Sequence, residues 1–128
     1  MGEPIFVFGS NLAGRHGAGA ALWAWHYRGA IYGQGEGLQG QSYGIATKDV
    51  ALKTRSLSAV DHSVRAFLDF ARSRPDLMFQ VTPIGCGLAG YRHEDIAPMF
   101  RNAPENCTLP DEFKTVLAGR AALKQEGR

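Results

Sequence analysis

An apolar, β-prone run, Ile5-Phe6-Val7-Phe8, passes without a break into Gly9-Ser10-Asn11, and Gly17-Ala18-Gly19 then opens a second apolar stretch with the look of a helix. A strand that feeds a glycine-rich turn at a helix N-terminus is a ready anion site. Such a turn leaves backbone N–H groups bare, and the helix dipole adds roughly half a positive charge at the same place. Glycine matters there because a Cβ would hold an anion away from the backbone. The stretch Phe6–Ala21 therefore points to a phosphate-bearing ligand.

Glycine is concentrated where that argument needs it: ten of the sixteen glycines lie between Gly9 and Gly44. A chain of 128 residues is long enough for one domain with its own core. The net charge of +2, with no basic run, gives no indication of a nucleic-acid partner. Cys86 and Cys107 are too few for a disulfide framework and lack metal-ligand spacing, so neither a metal nor a cofactor is expected. No apolar run approaches the ~20 residues of a membrane span, and the N-terminus lacks the basic and apolar regions of a signal peptide. The expectation is a cytoplasmic protein with reduced thiols.

Taken in order, the chain alternates. A first strand is expected over Pro4–Phe8, apolar enough to be buried on both faces, and a first helix over Gly19–His26 that stops at Gly29. Trp23 and Trp25, two apart on that helix, cannot share a face, so one should enter the core and the other a ligand or partner surface. Residues Ala30–Gln41 carry four glycines and no period; they read either as a functional loop or as a plain flexible connection. A short strand over Tyr43–Thr47 leads to Lys48-Asp49. The second helix starts with Ser58 and Asp61 in the S-x-x-D capping pattern, and Val60, Val64, Phe67, Leu68 and Ala71 then recur at helical spacing until Pro75. His62 falls on its polar side.

A third strand, Leu77–Ile84, precedes a second glycine loop, Gly85–Tyr91, and a helix over His93–Arg101 that Pro98 should shorten or kink. A brief strand near Asn106–Leu109 and a closing helix or partly ordered tail complete the chain. The domain proper is expected over residues 1–113, with 114–128 as that helix or tail. Strand–helix alternation of this kind predicts a layered α/β domain. Ligands in such sheets sit at the carboxyl ends of the strands, so both glycine loops could face one cleft.

Two common phosphate motifs are absent. Gly14–Ala21 lacks the Lys-Ser/Thr of a P-loop. Gly17-Ala18-Gly19-Ala20-Ala21-Leu22 lacks the third glycine of the dinucleotide fingerprint, and Gly35–Gly40, which has the letters, lacks the strand and helix around it. The fuller combination is GSNLAGRHGAGAA at 9–21, GLQGQSYGIATKD at 37–49 and IGCGLAGY at 84–91. It resembles the macrodomain family, whose members bind ADP-ribose and its conjugates, and is most similar to macro-like proteins of bacteriophages and their bacterial relatives. The resemblance extends over roughly Ile5–Phe113 and implies a compact, reduced macrodomain-like mixed sheet flanked by helices.

The resemblance also implies roles. Ser10, Asn11, His16, Gly17, Ala18, Gly19 and Ala20 fall in the first ligand loop, with Asn11 at the position that contacts the distal ribose. Gly85, Cys86, Gly87, Leu88, Ala89, Gly90 and Tyr91 fall in the second. Lys48 matches the lysine that attacks the ribose anomeric carbon in the branch containing the terminal ADP-ribose glycohydrolase, a task that requires a lowered lysine pKa. Two departures stand against hydrolysis: Ala89 replaces that branch's acid, and Ala20-Ala21 occupies the place of the acid in other hydrolytic members. The aspartate that usually receives the adenine amino group has no counterpart either. Asp49 and His16 are the candidates to supply acid–base chemistry, against the plainer readings of an ion pair with Lys48 and a turn residue. Cys86, between two glycines, is either an activated thiol or a small buried residue.

Two functions follow as expectations. One is a binding module for ADP-ribose or an ADP-ribosylated macromolecule, with weak lysine-dependent hydrolysis as an added activity. The other is a non-enzymatic interaction protein whose cleft takes a different nucleotide or a protein.

Overall fold

A computed structural model describes residues 3–126. Its centre is β1 (Ile5–Asn11), which extends three residues past the expected end and carries Gly9, Ser10 and Asn11 as strand. The other elements are α1 (Gly19–Tyr27), β2 (Gly37–Gln39), β3 (Ser42–Lys48), α2 (Leu57–Ser73), β4 (Phe79–Val81), α3 (His93–Ile96), a 3₁₀ turn (Ala97–Phe100), β5 (Cys107–Thr108) and α4 (Asp111–Glu126). The sheet order is β2-β3-β1-β4-β5. All neighbours run parallel except β2, which pairs antiparallel with β3. This is a mixed α/β fold. None of the helices is long and apolar enough to cross a membrane, among the described residues.

Strand alternation distributes β1 between two cores. Ile5 and Val7 join Tyr43, Ile45, Phe79 and Val81 beneath α2, α3 and the 3₁₀ turn, with Phe67 at the centre of that larger core. Phe113 of α4 is fully buried there against Phe100, ring centroids 5.5 Å apart. Phe6 and Phe8 point the other way, toward Ala21 and Ala24 of α1. A strand with an aliphatic face and an aromatic face is thus covered on both sides, the reason it reads as continuously apolar.

Several boundaries differ from the sequence reading. The N-cap of α2 is Ser56, whose Oγ accepts the Ala59 N–H at 3.1 Å, and Ser58 lies inside the first turn. The backbone decides this: Arg55 N–H is already bonded to the Thr47 carbonyl, so the chain turns into the helix directly after it. Strand β4 is only three residues long: Thr82 still donates its N–H and its hydroxyl to the Val7 carbonyl of β1, but Pro83 follows and Ile84 turns its N–H back onto the Thr82 carbonyl, which ends the ladder. The expected third helix is a single α turn followed by a 3₁₀ turn, as suits a proline without an N–H at its start. Neither Trp23 nor Trp25 enters the core; Trp23 covers Phe6, and Trp25 packs on Tyr32 at 5.0 Å.

The glycine-rich segment after α1 is a packed connection. A Cβ on Gly35 would lie 2.3 Å from the Asn11 carbonyl oxygen. One on Gly40, at φ +60°, would lie 2.5 Å from that of Gly29. These glycines let backbone meet backbone. The segment is held from within by Gln39, a buried side chain whose Oε1 accepts the Ile31 N–H at 2.9 Å.

Candidate functional site

A cleft of about 680 Å³ opens at the carboxyl ends of β1, β3 and β4. Its floor is Gly9, Ser10 and Asn11 with Thr47 and Lys48; one wall is Gly17–Ala21 at the start of α1, and the other is Ile84, Gly85, Gly87, Leu88 and Ala89. Both glycine loops therefore open onto one space. They come close at one point, where a Cβ on Gly19 would lie 4.0 Å from Leu88 Cδ1.

The walls present donors. Among the described residues no backbone or side-chain acceptor takes the N–H groups of Gly17, Ala18, Gly19, Ala20 and Ala21; the first helical bond of α1 is Leu22 N–H to the Ala18 carbonyl. Opposite them, Gly87, Leu88 and Ala89 likewise keep free N–H groups. Orphan donors at a helix start favour an anion, and the α1 dipole adds to them. Arg15 and Lys48 line the same space, and neither forms an ion pair among the described residues. Among the described residues no carboxylate lines it. The cleft is electrically one-sided, and what it can do chemically is hold negative charge.

Glycines along these walls divide by physical reason. Gly85 sits at φ +76° with Ile96 Cδ1 3.2 Å from where its Cβ would be, so the fold alone demands glycine. Gly19, at φ +57°, is also conformationally required. Gly17 and Gly87 are different. Neither lies in the left-handed region, and a Cβ on either would meet nothing within 4 Å. Both line the cleft, and folding supplies no reason for them.

Some expected site residues are placed elsewhere. His16 is wholly buried beneath the loop, edge-on to Phe8 at 5.3 Å, with Nε2 3.2 Å from Gln39 Oε1 and no partner for Nδ1. It packs behind the wall of the cleft and does not line it. Asn11 reaches the cleft, but its amide braces the loop: Nδ2 donates to the Arg15 carbonyl and Oδ1 accepts the Arg15 N–H, both at 2.9 Å. Asp49 lies outside the lining of the cleft and forms no ion pair with Lys48. Its Oδ1 accepts the N–H groups of Ala51 at 2.9 Å and Lys53 at 3.0 Å, closing its own turn.

Cys86 turns away from the cleft to pack against the larger core. Burial pushes its thiol up to about 11, and the carboxylates of Asp95, Glu112 and Glu94 add to the effect, the direction opposite to that of an activated thiol. Tyr91 gives its hydroxyl to the Arg55 carbonyl, and Gly90 also lies outside the lining. Ser10 is buried at the floor.

The structure adds Arg15, Tyr32, Thr47, Leu52 and Thr82 to the lining. Arg15 was legible in principle, since it stands inside the first glycine motif. Tyr32 comes from the glycine-rich segment and Leu52 from the turn after Asp49, and no local pattern aims either one. Leu52 has φ +65°, the one non-glycine residue with positive φ among those described. No group of His, Cys, Asp and Glu suited to a metal ion occurs among the described residues.

No protein-family model, curated protein or solved structure matches this chain.

Proposed function

We propose that this chain binds a ligand of the ADP-ribose type, two phosphates joined to ribose and a base, with the diphosphate held between the two glycine loops. The observation that carries the reading is the pair Gly17 and Gly87, glycines on facing walls with space before them and no conformational need for glycine. Beside them stand bare N–H groups on both loops and the unpaired cations Arg15 and Lys48. Two phosphates between two donor walls match that charge and spacing better than a single small anion. The apolar side chains of Leu52, Leu88 and Tyr32 offer surface to a ribose or base.

Holding is favoured over breaking. Lys48 lies in the cleft, but no carboxylate lines it to take or give a proton. With no carboxylate to receive an adenine amino group, the base is read by shape and apolar contact.

Titration calorimetry against ADP-ribose, ADP, AMP and ribose-5-phosphate tests the reading. The expected order places ADP-ribose first, the diphosphate next and the monophosphates last. A ligand at a hundred times its Kd adds about 2.7 kcal/mol to stability, so thermal melts give an independent check. Absence of binding by every diphosphate would overturn the proposal.

A further inference from the structure

The second glycine loop has little of its own to hold it in place. It hangs between left-handed glycines, Gly85 at φ +76° and Gly90 at φ +87°, and its most prominent side chain, Leu88, is 73% exposed. Within it, Gly90 N–H donates to the Gly87 carbonyl at 3.0 Å and Tyr91 N–H to the Gly85 carbonyl at 2.8 Å. Two further bonds come from a distant segment. Thr54 Oγ1 donates to the Ala89 carbonyl at 2.9 Å, and the Tyr91 hydroxyl donates to the Arg55 carbonyl.

Residues Thr54 and Arg55 are themselves anchored. Thr54 bridges Lys48 at the end of β3, across the turn that Asp49 closes. Arg55 donates its N–H to the Thr47 carbonyl at 2.9 Å, and its guanidinium to the Ala46 carbonyl at 2.8 Å and the Ser63 hydroxyl at 2.9 Å. In the sheet β1 lies between β3 and β4, so this tie spans the carboxyl end of the strand that leads into the first loop. It connects the edge bearing Lys48 to the loop bearing the second set of donors.

We propose that Thr54 and Tyr91 are positioning residues that keep the second loop in its donor-presenting conformation; the inference rests on the cleft-binding reading above. The critical peptide joins Ala89 to Gly90. Its carbonyl is held by Thr54 and its N–H by the Gly87 carbonyl, and glycine at its far end removes the steric barrier that would otherwise also oppose its rotation. Without Thr54, the Gly90–Gly87 bond is left to oppose a rotation that would swing the Ala89 carbonyl toward the cleft, where its lone pairs would repel the phosphate that the neighbouring N–H groups attract.

The test compares Thr54→Val, which keeps the shape and loses the donor, with Thr54→Ser, which keeps the donor, and adds Tyr91→Phe. With ADP-ribose as probe, Thr54→Val and Tyr91→Phe are each expected to weaken binding about five- to tenfold, the size of one net hydrogen bond, while Thr54→Ser restores wild-type affinity. Salt dependence should not change, since no charge is removed. Amide hydrogen exchange in the ligand-free protein gives a second readout: Gly90 and Tyr91 should exchange faster in Thr54→Val. Wild-type affinity and unchanged exchange in both variants would overturn the inference, as would a Thr54→Ser protein as weak as Thr54→Val. Should the wild type bind no ADP-ribose, the functional proposal falls, and the exchange measurement alone decides the tie.

Discussion

Replacing Gly17 by alanine separates a glycine kept for a ligand from one kept for the fold. Gly17 has no positive φ, and an added Cβ meets no atom within 4 Å, so the folded state takes the methyl without strain. The unfolded chain loses freedom, and the substitution should therefore leave stability unchanged or raise it by up to about 1 kcal/mol. Binding should respond in the opposite direction. The methyl stands in the space from which an anion reaches the N–H groups of residues 17–19, and losing one charge-assisted hydrogen bond costs about 1.5–3 kcal/mol. At about 1.4 kcal/mol per factor of ten, the expected loss of affinity is about 10- to 150-fold. Gly87→Ala should behave the same way from the other wall, whereas Gly19→Val is a poor probe because φ +57° strains any side chain. Urea unfolding and titration with ADP-ribose measure the two effects on one sample. A Gly17→Ala protein of lower stability, or one that binds ADP-ribose as the wild type does, would refute the reasoning.

Other consequences are open to simpler assays. Lys48→Ala and Arg15→Ala should each lower affinity for a diphosphate and reduce the steepness of its salt dependence, with little change in melting temperature, since neither forms an ion pair among the described residues. Ser56→Ala should cost about 1 kcal/mol as a lost helix cap, and Ser58→Ala much less, by urea unfolding. Cys86 and Cys107, both raised from an ordinary 9.0 to about 11, should react slowly with iodoacetamide at neutral pH. The same shifts set a stability trend. Below pH 9 both states keep the thiol proton and the thiols' contribution to stability is level; above it the unfolded chain ionises first, so that contribution falls as pH rises toward 11. Asp49→Asn should lower both stability and ligand affinity modestly, with an unaltered pH profile of binding; a large pH-dependent loss would restore Asp49 to the chemistry of the cleft.

Much of this molecule is written in local sequence. The run Ile5–Phe8 specifies a strand covered on both faces, since every position is apolar, and the spacing of Val60, Val64, Phe67, Leu68 and Ala71 specifies the core face of α2. Helix and strand periods report a residue's nearest neighbours along the chain, and that information survives without coordinates. The directions of loop side chains do not. Arg15 and His16 are adjacent, yet one lines the cleft and the other is wholly buried, because Asn11 grips the Arg15 backbone from both sides while Gln39 and Phe8 receive the imidazole from elements far away in sequence. The same holds for Asp49, beside a lysine in sequence but turned onto its own loop, and for Cys86, between two glycines but packed against the larger core. Glycine shows the division most plainly. Sequence places Gly17, Gly35 and Gly87 as equals; tertiary contact separates Gly35, which another backbone crowds, from Gly17 and Gly87, which face open space. A glycine's reason lies in what stands opposite its missing Cβ, and only the packed chain decides that.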